Sequence, residues 1–334
     1  MEQRGYAPPK LQRRGVIIMK KILFMFAALG VFVAVQSVDR THAVRPVTPT
    51  LVVDDDSVEC PNADYATIED AVNASSGESI MVCDGEYDGV ELTKQVTLRA
   101  NGDARITGGP AHSSGYIQGF RMLAGSDGSM IRGFTFEVDF PVMNGAEVDN
   151  VNFSHNTLLN PLQGVSNWVG DNWDISYNTI TDLRSACGGG IAILVGNYTG
   201  ASSANGNRIS NNTISGTLHV SPTDCGGYDG TGIVLFADHR FGRSGGPVEG
   251  NMIHNNTVSL VSDTPSVVDV VGVELTDTRD DLTVRDVVDN QVRANDLSGT
   301  ANQTALTPEN LDEFNRIDLS GTRHYGRATS SMMP

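Results

Sequence analysis

Positive charge and aromatic side chains are both scarce in this sequence. The 23 Lys and Arg residues face 40 Asp and Glu residues, which gives a formal net charge of −17 at pH 7, and aromatic residues make up 6% of the chain. We therefore expect no nucleic acid partner, because binding to phosphates requires clustered basic side chains. Long hydrophobic runs are lacking too, since the apolar run at residues 22–35 is too short to span a bilayer comfortably.

The composition that remains is that of a turn-rich β protein. Glycine is frequent, with 36 residues, and Asn, Ser, Thr and Asp separate short clusters of Val and Ile. A disordered chain would lack such recurring apolar clusters. With 334 residues, 39% of them hydrophobic, the chain is long enough to bury a core built mainly from small and β-branched side chains.

The N-terminal segment has the features of an export signal that begins at Met19. Residues 20–21 are basic, residues 22–35 form an apolar h-region, and residues 41–43 offer a small-residue cleavage site. We interpret residues 1–43 as an upstream segment and a signal peptide, and we expect a secreted, periplasmic or cell-surface protein without a stable membrane span after cleavage. An uncleaved anchor is the alternative.

Removal of residues 1–43 makes the chain still more acidic. That segment holds seven basic and two acidic residues, so 16 basic and 38 acidic residues remain, a net charge of −22, with Lys94 as the sole lysine. Such a surface suits a salty exterior or cation binding, and Ca²⁺ is a candidate ligand. An acidic polymer would be repelled unless Arg or bound Ca²⁺ reversed the charge locally.

Four cysteines form an even set without the close Cys-x-x-Cys spacing of a zinc site, which favours disulfides in an oxidising compartment. Three pairings are open to four cysteines. We favour the pairing in which each bond joins neighbouring coils of the chain. These pairs are Cys60 with Cys83 and Cys187 with Cys225.

A six-residue phrase recurs along the chain, with apolar residues at both ends and usually Asn-Thr inside. The first three copies are 22 residues apart, and steps of 34, 44 and 39 follow. We interpret 22 residues as one coil of a solenoid and the longer steps as coils with inserted loops, where function could lie. The copies are residues 131–136, 153–158, 175–180, 209–214, 253–258 and 292–297.

Stacking of these coils explains the phrase. The outer apolar residues of each copy would point inward and build a continuous core that no single coil can bury. The Asn would fall at a turn, where it tolerates left-handed backbone angles, and stacked amides would form a hydrogen-bonded ladder. Asn156, Asn178 and Asn212 should therefore lie in one column.

Two further patterns complete the predicted domain. Residues 66–74 indicate a short amphipathic helix with Thr67 as N-cap, which would cover the open end of the solenoid. The β-helix domain is expected at residues 44–300 and a C-terminal cap and polar tail at 301–334, with a short helix at 305–314. A second phrase places glycine before an alternating strand and indicates at least two strand sides per coil. These glycines are Gly164, Gly190, Gly232 and Gly272.

The run from residue 51 to residue 100 resembles the opening of the pectate-lyase-like superfamily, and the Asn-Thr-Ile phrases resemble its repeats over residues 50–300. The resemblance implies an all-β, right-handed, single-stranded parallel β-helix. It implies no single activity, because the superfamily includes pectate and alginate lyases, polygalacturonases, uronan epimerases, tailspikes and non-enzymatic surface proteins. The combined Asn-Thr-Asp, Asp-Asp and Gly-His-Gly set of polygalacturonases is missing, and we expect the acidic runs at 54–56 and 280–281 to be solvated turns.

Candidate site residues follow the Gly-strand phrases, because stacked strands would bring these segments to one flank. Asp238-His239-Arg240 loosely resembles the Asp-x-His arrangement of uronan epimerases, without its proline. In that reading His239 is the base, Arg240 or Arg243 neutralises a uronate carboxylate, Asp238 orients a neighbour or binds a cation, and Tyr198 donates a proton. The expected substrate-binding residues are Trp168, Asn167, Asn197, Phe241, Arg243, Asp277 and Arg279.

Two functions of different class follow from this reading. The chain is an exported enzyme that binds and modifies polysaccharide, as a lyase or C5-epimerase of uronate polymers. Alternatively, it is a non-catalytic extracellular or envelope protein that binds carbohydrate on the same flank. An ordinary polar loop at residues 238–243 is the third interpretation.

Overall fold

The computed structural model describes residues 50–186, 190–222, 230–281 and 283–318, together with the backbone of His324–Gly326. All of them belong to the unit Val47–Pro334. The proposed signal peptide, and the Cys187–Cys225 pair, lie outside the described residues. Among these residues, no helix is long and apolar enough to cross a membrane.

The described strands form three long parallel sheets of ten, nine and seven strands. Neighbours within each sheet follow one another in chain order, so the chain visits the three sheets in turn and returns one strand further along each time. This confirms the predicted all-β parallel solenoid. The right-handed winding stays a prediction.

The ten-stranded sheet consists of Thr50–Val53, Ser79–Val82, Thr97–Ala100, Met130–Arg132, Asn152–Ser154, Asp174–Ser176, Arg208–Ser210, Met252–His254, Gln291–Arg293 and Arg316–Ile317. The nine-stranded sheet consists of Glu91–Leu92, Gln118–Met122, Phe140–Asn144, Gln163–Trp168, Ile191–Asn197, Gly230–Ala237, Val270–Asp277, Asn302–Thr307 and His324–Gly326. The seven-stranded sheet consists of Gly85–Asp88, Ala104–Gly108, Thr135–Phe136, Thr157–Leu159, Thr179–Arg184, Thr213–His219 and Thr257–Ser262. A two-stranded sheet pairs Val248–Glu249 with Val287–Val288.

The recurring phrase marks successive coils, as its spacing predicts. Phe153 pairs in register with Ile131 on one side and Ile175 on the other. Both outer residues of the phrase are buried in each coil, for example Ile175 and Ile180 at 0% exposure. The core of the solenoid is therefore built from the inward-facing apolar residues of every coil.

Asn156, Asn178 and Asn212 lie in one column, as predicted. The side-chain Nδ2 of Asn156 donates to Oδ1 of Asn178 at 3.2 Å, and Asn178 donates to Asn212 at 3.0 Å. Asn256 and Asn295 continue the ladder at 3.0 Å per step. Each Oδ1 also accepts the backbone N–H of the preceding member, for example 3.0 Å from Asn156 N. Buried amides are tolerated because both ends are hydrogen-bonded.

The left-handed backbone angles of this turn belong to a different residue from the one we expected. They occur one position before the ladder, at His155, Tyr177, Asn211 and Asn255, each with φ of 57°. The ladder Asn is therefore required for its amide hydrogen bonds. The residue before it adopts the left-handed conformation that changes the direction of the chain.

A second ladder of asparagine side chains, which was not predicted from the sequence, runs along another corner of the solenoid. Asn167 donates to Asn207 at 3.2 Å, and Asn207 donates to Asn251 at 2.9 Å. Asn251 and Asn290 continue the same pattern, with steps of 2.9 and 3.0 Å to Asn290 and Asn315. The signal in the sequence was an Asn five positions ahead of the first-ladder Asn in three coils.

The glycine phrase stacks with one exception. Gly164, Gly232 and Gly272 share a column of the nine-stranded sheet, but Ala192 fills that column in the coil between, two residues after Gly190. At Gly232 an added Cβ would lie 2.5 Å from the carbonyl oxygen of Gly272. The close approach of backbones explains why this column holds small residues.

The local structure of the N-terminal end agrees with the predictions made from the sequence. The helix Ile68–Ala74 begins after Thr67, whose hydroxyl accepts the backbone N–H of Asp70 at 3.1 Å. Ile68 and Val72 are buried against the core, and Cys60 is bonded to Cys83 as predicted. That the helix covers the open end stays a prediction.

The C-terminal boundary lies later than expected. Asn302–Thr307 is a strand that pairs with Val270–Asp277, and Arg316–Ile317 extends the ten-stranded sheet. Only Glu309–Glu313 of the expected helix is helical, as a 3-10 turn. Parallel stacking thus continues beyond residue 300.

We predict that Asn178→Ala lowers the free energy of unfolding by about 3 kcal/mol, because it leaves the buried N–H of Asn156 and the carbonyl of Phe153 without partners. Urea unfolding followed by circular dichroism measures the change. The control is Asn101→Ala, which truncates an exposed side chain. Equal losses in the two variants would contradict a stabilising ladder.

Candidate functional site

The expected flank is assembled by four neighbouring strands of the nine-stranded sheet. Trp168 pairs in register with Gly196, Gly196 with Phe236, and Phe236 with Thr276. In three of these coils, the segment that follows the strand is a long insertion, namely after Asn197, Ala237 and Asp277. Stacking therefore places residues more than 100 positions apart in sequence on one corner of the solenoid.

Aromatic side chains from three coils meet at this corner. The Trp168 ring lies edge-on to Tyr198 with centroids 5.6 Å apart, and 5.9 Å from Phe236 in a tilted arrangement. Tyr198 is 41% exposed. We call Trp168, Tyr198 and Phe236 the aromatic platform. Phe236 was not among the expected site residues, because it lies inside a strand that reads as core.

Two arginines cover parts of the aromatic platform. The Arg240 guanidinium lies 4.9 Å from the Phe236 ring centroid and 5.6 Å from that of Phe241. Arg243 lies 6.0 Å from the Tyr198 ring. These are cation–π distances, and they join the platform to the 3-10 turn Arg240–Gly242. Phe241 at its tip is 73% exposed and has a left-handed φ of 57°.

Asp238 holds both arginines from beneath. Its side chain is fully buried, and it accepts a hydrogen bond from Arg240 Nε at 2.8 Å and one from Arg243 Nη1. Burial opposes its ionisation, but the hydrogen bonds and charge of Arg240 and the hydrogen bond of Arg243 outweigh burial and lower its pKa. Asp238 is therefore a carboxylate that positions arginines and does not face a ligand.

His239 is turned toward two carboxylates. Its Nε2 lies 2.8 Å from Asp286 Oδ2 and 3.7 Å from Asp277 Oδ1. Asp286 also binds Arg279, and Asp277 accepts the backbone N–H groups of Arg279 and Asp286. Asp277 is 1% exposed, so it organises this loop from inside. Asp286 was missed, because it lies 47 residues after His239 with no local motif between them.

An open cleft of about 530 Å³ lies beside the aromatic platform. It is the surface where the Arg240–Gly242 turn faces the loop after Val270–Asp277. Thr278, Asp280 and Asp281 were not expected to line it. The lining residues are His239, Arg240, Phe241, Arg243, Thr278, Arg279, Asp280 and Asp281.

Two expected substrate-binding residues have structural roles instead. Asn167 is fully buried within the second ladder and also donates to the carbonyl of Gly170. Asn197 is fully buried and donates to the carbonyls of Ser202 and Pro247. A side chain whose amide is buried and engaged in this way has no face to offer a ligand.

The acidic run at residues 54–56 is only partly a solvated turn. Asp54 is 1% exposed and accepts the backbone N–H groups of Cys60 and Asp56. Its carboxylate lies within 4.8 Å of those of Asp56 and Glu59, the one group of three or more His, Cys, Asp or Glu side chains among the described residues with the spacing of metal ligands. Buried hydrogen bonding to Cys60 gives Asp54 a structural role without any ion.

We predict that Asp238→Asn lowers the free energy of unfolding by about 2 kcal/mol at pH 7, because charge-assisted hydrogen bonds to Arg240 and Arg243 are lost. The pKa of Asp238 is lowered on folding, so its contribution is present above the ordinary carboxyl pKa and is lost as the pH falls through the lowered value. The gap between variant and parent should therefore close in acid.

Thermal or urea unfolding across pH 2–7 checks this, and Asp280→Asn, at an exposed cleft carboxylate, is the control. A gap that stays constant with pH, or an equal loss in the control, would contradict the assignment.

Comparison with known proteins returns no match: no family model, no curated protein and no solved structure is similar to the chain at a significant level. Its function is therefore inferred from the geometry of this corner.

Proposed function

We propose that this protein is exported and binds polysaccharide at the aromatic platform and the adjoining cleft. The proposal includes the right-handed winding and the pectate-lyase-like ancestry that the sequence resemblance implies, with the N-terminal helix covering the open end. The observation that carries it is the convergence of Trp168, Tyr198 and Phe236 from three coils beside an open cleft. Flat aromatic faces flanked by hydrogen-bonding side chains are the means by which proteins hold sugar rings.

The arrangement of the site residues along the solenoid supports binding to an extended polysaccharide. Coils of a solenoid repeat along its axis, so a row of side chains from successive coils forms an elongated surface. Phe241 projects beyond this row with 73% of its surface exposed.

A lyase or C5-epimerase of uronate polymers is the second candidate. It is favoured by one observation, the 2.8 Å contact of His239 Nε2 with Asp286, since a carboxylate that orients histidine leaves the other ring nitrogen, Nδ1, to accept a proton. His239 Nδ1 makes no hydrogen bond with the described residues. In the lyase, this base takes the proton beside the uronate carboxylate, the carbon–carbon double bond forms as the carbon–oxygen bond of the glycosidic link breaks, and the leaving oxygen takes a proton from Tyr198.

The same contacts weigh against that chemistry. Proton abstraction beside a carboxylate requires the carboxylate to be neutralised. Arg240 and Arg243 are both paired with Asp238, and Arg279 is paired with Asp286. The pairing of all three arginines therefore fits non-catalytic binding better than it fits catalysis.

We predict that Phe241→Ala weakens polysaccharide binding about tenfold, because a stacking ring on an exposed tip is lost while the core is untouched. Affinity electrophoresis and calorimetry with a panel of polysaccharides measure it. Tyr177→Ala is the matched control, since Tyr177 is also an exposed aromatic with a φ of 57°, placed just after a strand of the ten-stranded sheet. Binding of no polysaccharide by the parent protein would refute the proposed function.

The enzyme alternative has its own test. Incubation with alginate and pectate, with and without Ca²⁺, should give no absorbance from unsaturated uronate and no change in the NMR spectrum of the polymer. A product that disappears in His239→Gln would establish the lyase or epimerase instead. A product that persists in His239→Gln would point to a contaminating activity.

A further inference from the structure

The charges around the cleft point to a particular class of glycan. Three arginines reach it, and each is bound to a carboxylate that lies beneath or beside it. Asp238 and Asp277 are almost fully buried, and Asp286 is largely buried. Asp238 and Asp286 fix the guanidinium groups in place, and together with Asp277 they balance the charge of the three arginines.

Further acidic groups remain after this pairing. Asp280 and Asp281 are exposed and line the cleft, and no arginine pairs with either. Hydrogen bonds from Thr283, together with the charges of Arg279 and Arg285, lower the pKa of Asp281, so it is ionised at neutral pH. Five carboxylates lie at or beneath the cleft, whereas three guanidinium groups line it and a fourth, that of Arg285, donates to the backbone carbonyl of Asp281.

This balance opposes a polyanion. Each uronate unit would bring one more negative charge next to exposed Asp280 and Asp281, and like charges a few ångströms apart repel one another even in water. The rest of the surface is acidic as well, with a net charge of −22 beyond residue 43. Long-range steering would therefore also disfavour an acidic polymer.

The same groups suit an uncharged chain of hydroxyl-rich sugars. A free carboxylate such as that of Asp280 accepts hydrogen bonds from neighbouring hydroxyl groups, and these charge-assisted bonds are stronger than neutral ones. Asp280 has no hydrogen bond or ion pair with the described residues, so both of its oxygens are available. The ring of Phe241 lies on the same cleft and offers a stacking face.

We infer that the cleft binds a neutral polysaccharide, such as a hexose polymer without carboxylate or sulfate groups. The inference rests on the proposed polysaccharide-binding function and narrows its ligand. Asp280 and Phe241 are the residues that touch the sugar, Asp238 and Asp286 position the arginines, and the exposed carboxylates of Asp280 and Asp281 disfavour uronate polymers.

The test compares neutral glucans, mannans and galactans with alginate and pectate, and with chitosan as a polycation, at 10 mM and 300 mM salt. We expect one or more neutral polymers to bind at least tenfold more tightly than either uronate polymer at low salt. The neutral affinity should not change with salt, whereas the discrimination against uronates should shrink as repulsion is screened.

Variants that each remove one charge test whether the discrimination against uronate polymers arises at the cleft. Asp280→Asn keeps hydrogen-bonding capacity but removes a charge, so it should raise uronate affinity at low salt about threefold and change neutral affinity by less than about threefold. Glu69→Gln, which removes an exposed charge on the N-terminal helix, is the control and should change neither. An equal response in the two variants would assign the discrimination to net charge and overturn the local site.

The outcomes separate the two proposals. Uronate polymers bound as tightly as neutral ones at low salt, or chitosan bound more tightly than neutral polymers with a steep salt dependence, would overturn the neutral-glycan inference and leave polysaccharide binding intact. Failure of every polymer to bind would overturn both.

Discussion

Hydrogen bonding between stacked asparagine amides is the constraint on which the rest of this structure depends. A buried amide that misses its partner loses both a donor and an acceptor, so each ladder residue must lie directly over the next. Asn178 is satisfied only when Asn156 and Asn212 are in register with it. Two such ladders run along separate corners and fix the coils against sliding or rotation.

That fixed register is what makes a site possible on this scaffold. Asn167 and Asn207 belong to the second ladder, and Asn167 lies next to Trp168 in the strand that carries the aromatic platform. The ladder therefore holds the backbone of the platform from inside. Loops that extend from the same corner, and carry Arg240, His239 and Asp286, are anchored to a backbone that cannot shift by one residue. Their ion pairs then order the loops themselves.

The sequence predicts features that depend on periodicity and fails where partners are distant and unpatterned. The 22-residue spacing was enough to align Asn156 with Asn178, because coils of equal length leave a single register. Asn212 follows after 34 residues, and the recurrence of the phrase itself was enough to align it. The neighbouring flank of Trp168, Tyr198 and His239 followed from the same stacking. Asp286 could not be found in this way, since loop length before it differs from coil to coil.

The burial of particular polar side chains is the second property that could not be predicted from the sequence. Asn167 and Asn197 read as polar residues at the end of a strand and were expected to face a ligand, yet both are fully buried. Asp238 was expected to orient a neighbour or to bind a cation, and the sequence did not show that it is fully buried beneath two arginines. Many polar residues at a corner of the solenoid form hydrogen bonds between stacked coils. Only the three-dimensional structure shows which of them remain exposed to a ligand.

The uneven steps between copies of the phrase have an evolutionary consequence. Residues 198–206, 238–247 and 278–286 all enter at one corner, between the nine-stranded and ten-stranded sheets, while the strands on either side keep their register. These segments carry no residue of either ladder, so insertions and deletions within them leave both ladders intact. Lineages that share this scaffold can therefore diverge in ligand preference by exchanging loops, without passing through an unstable intermediate.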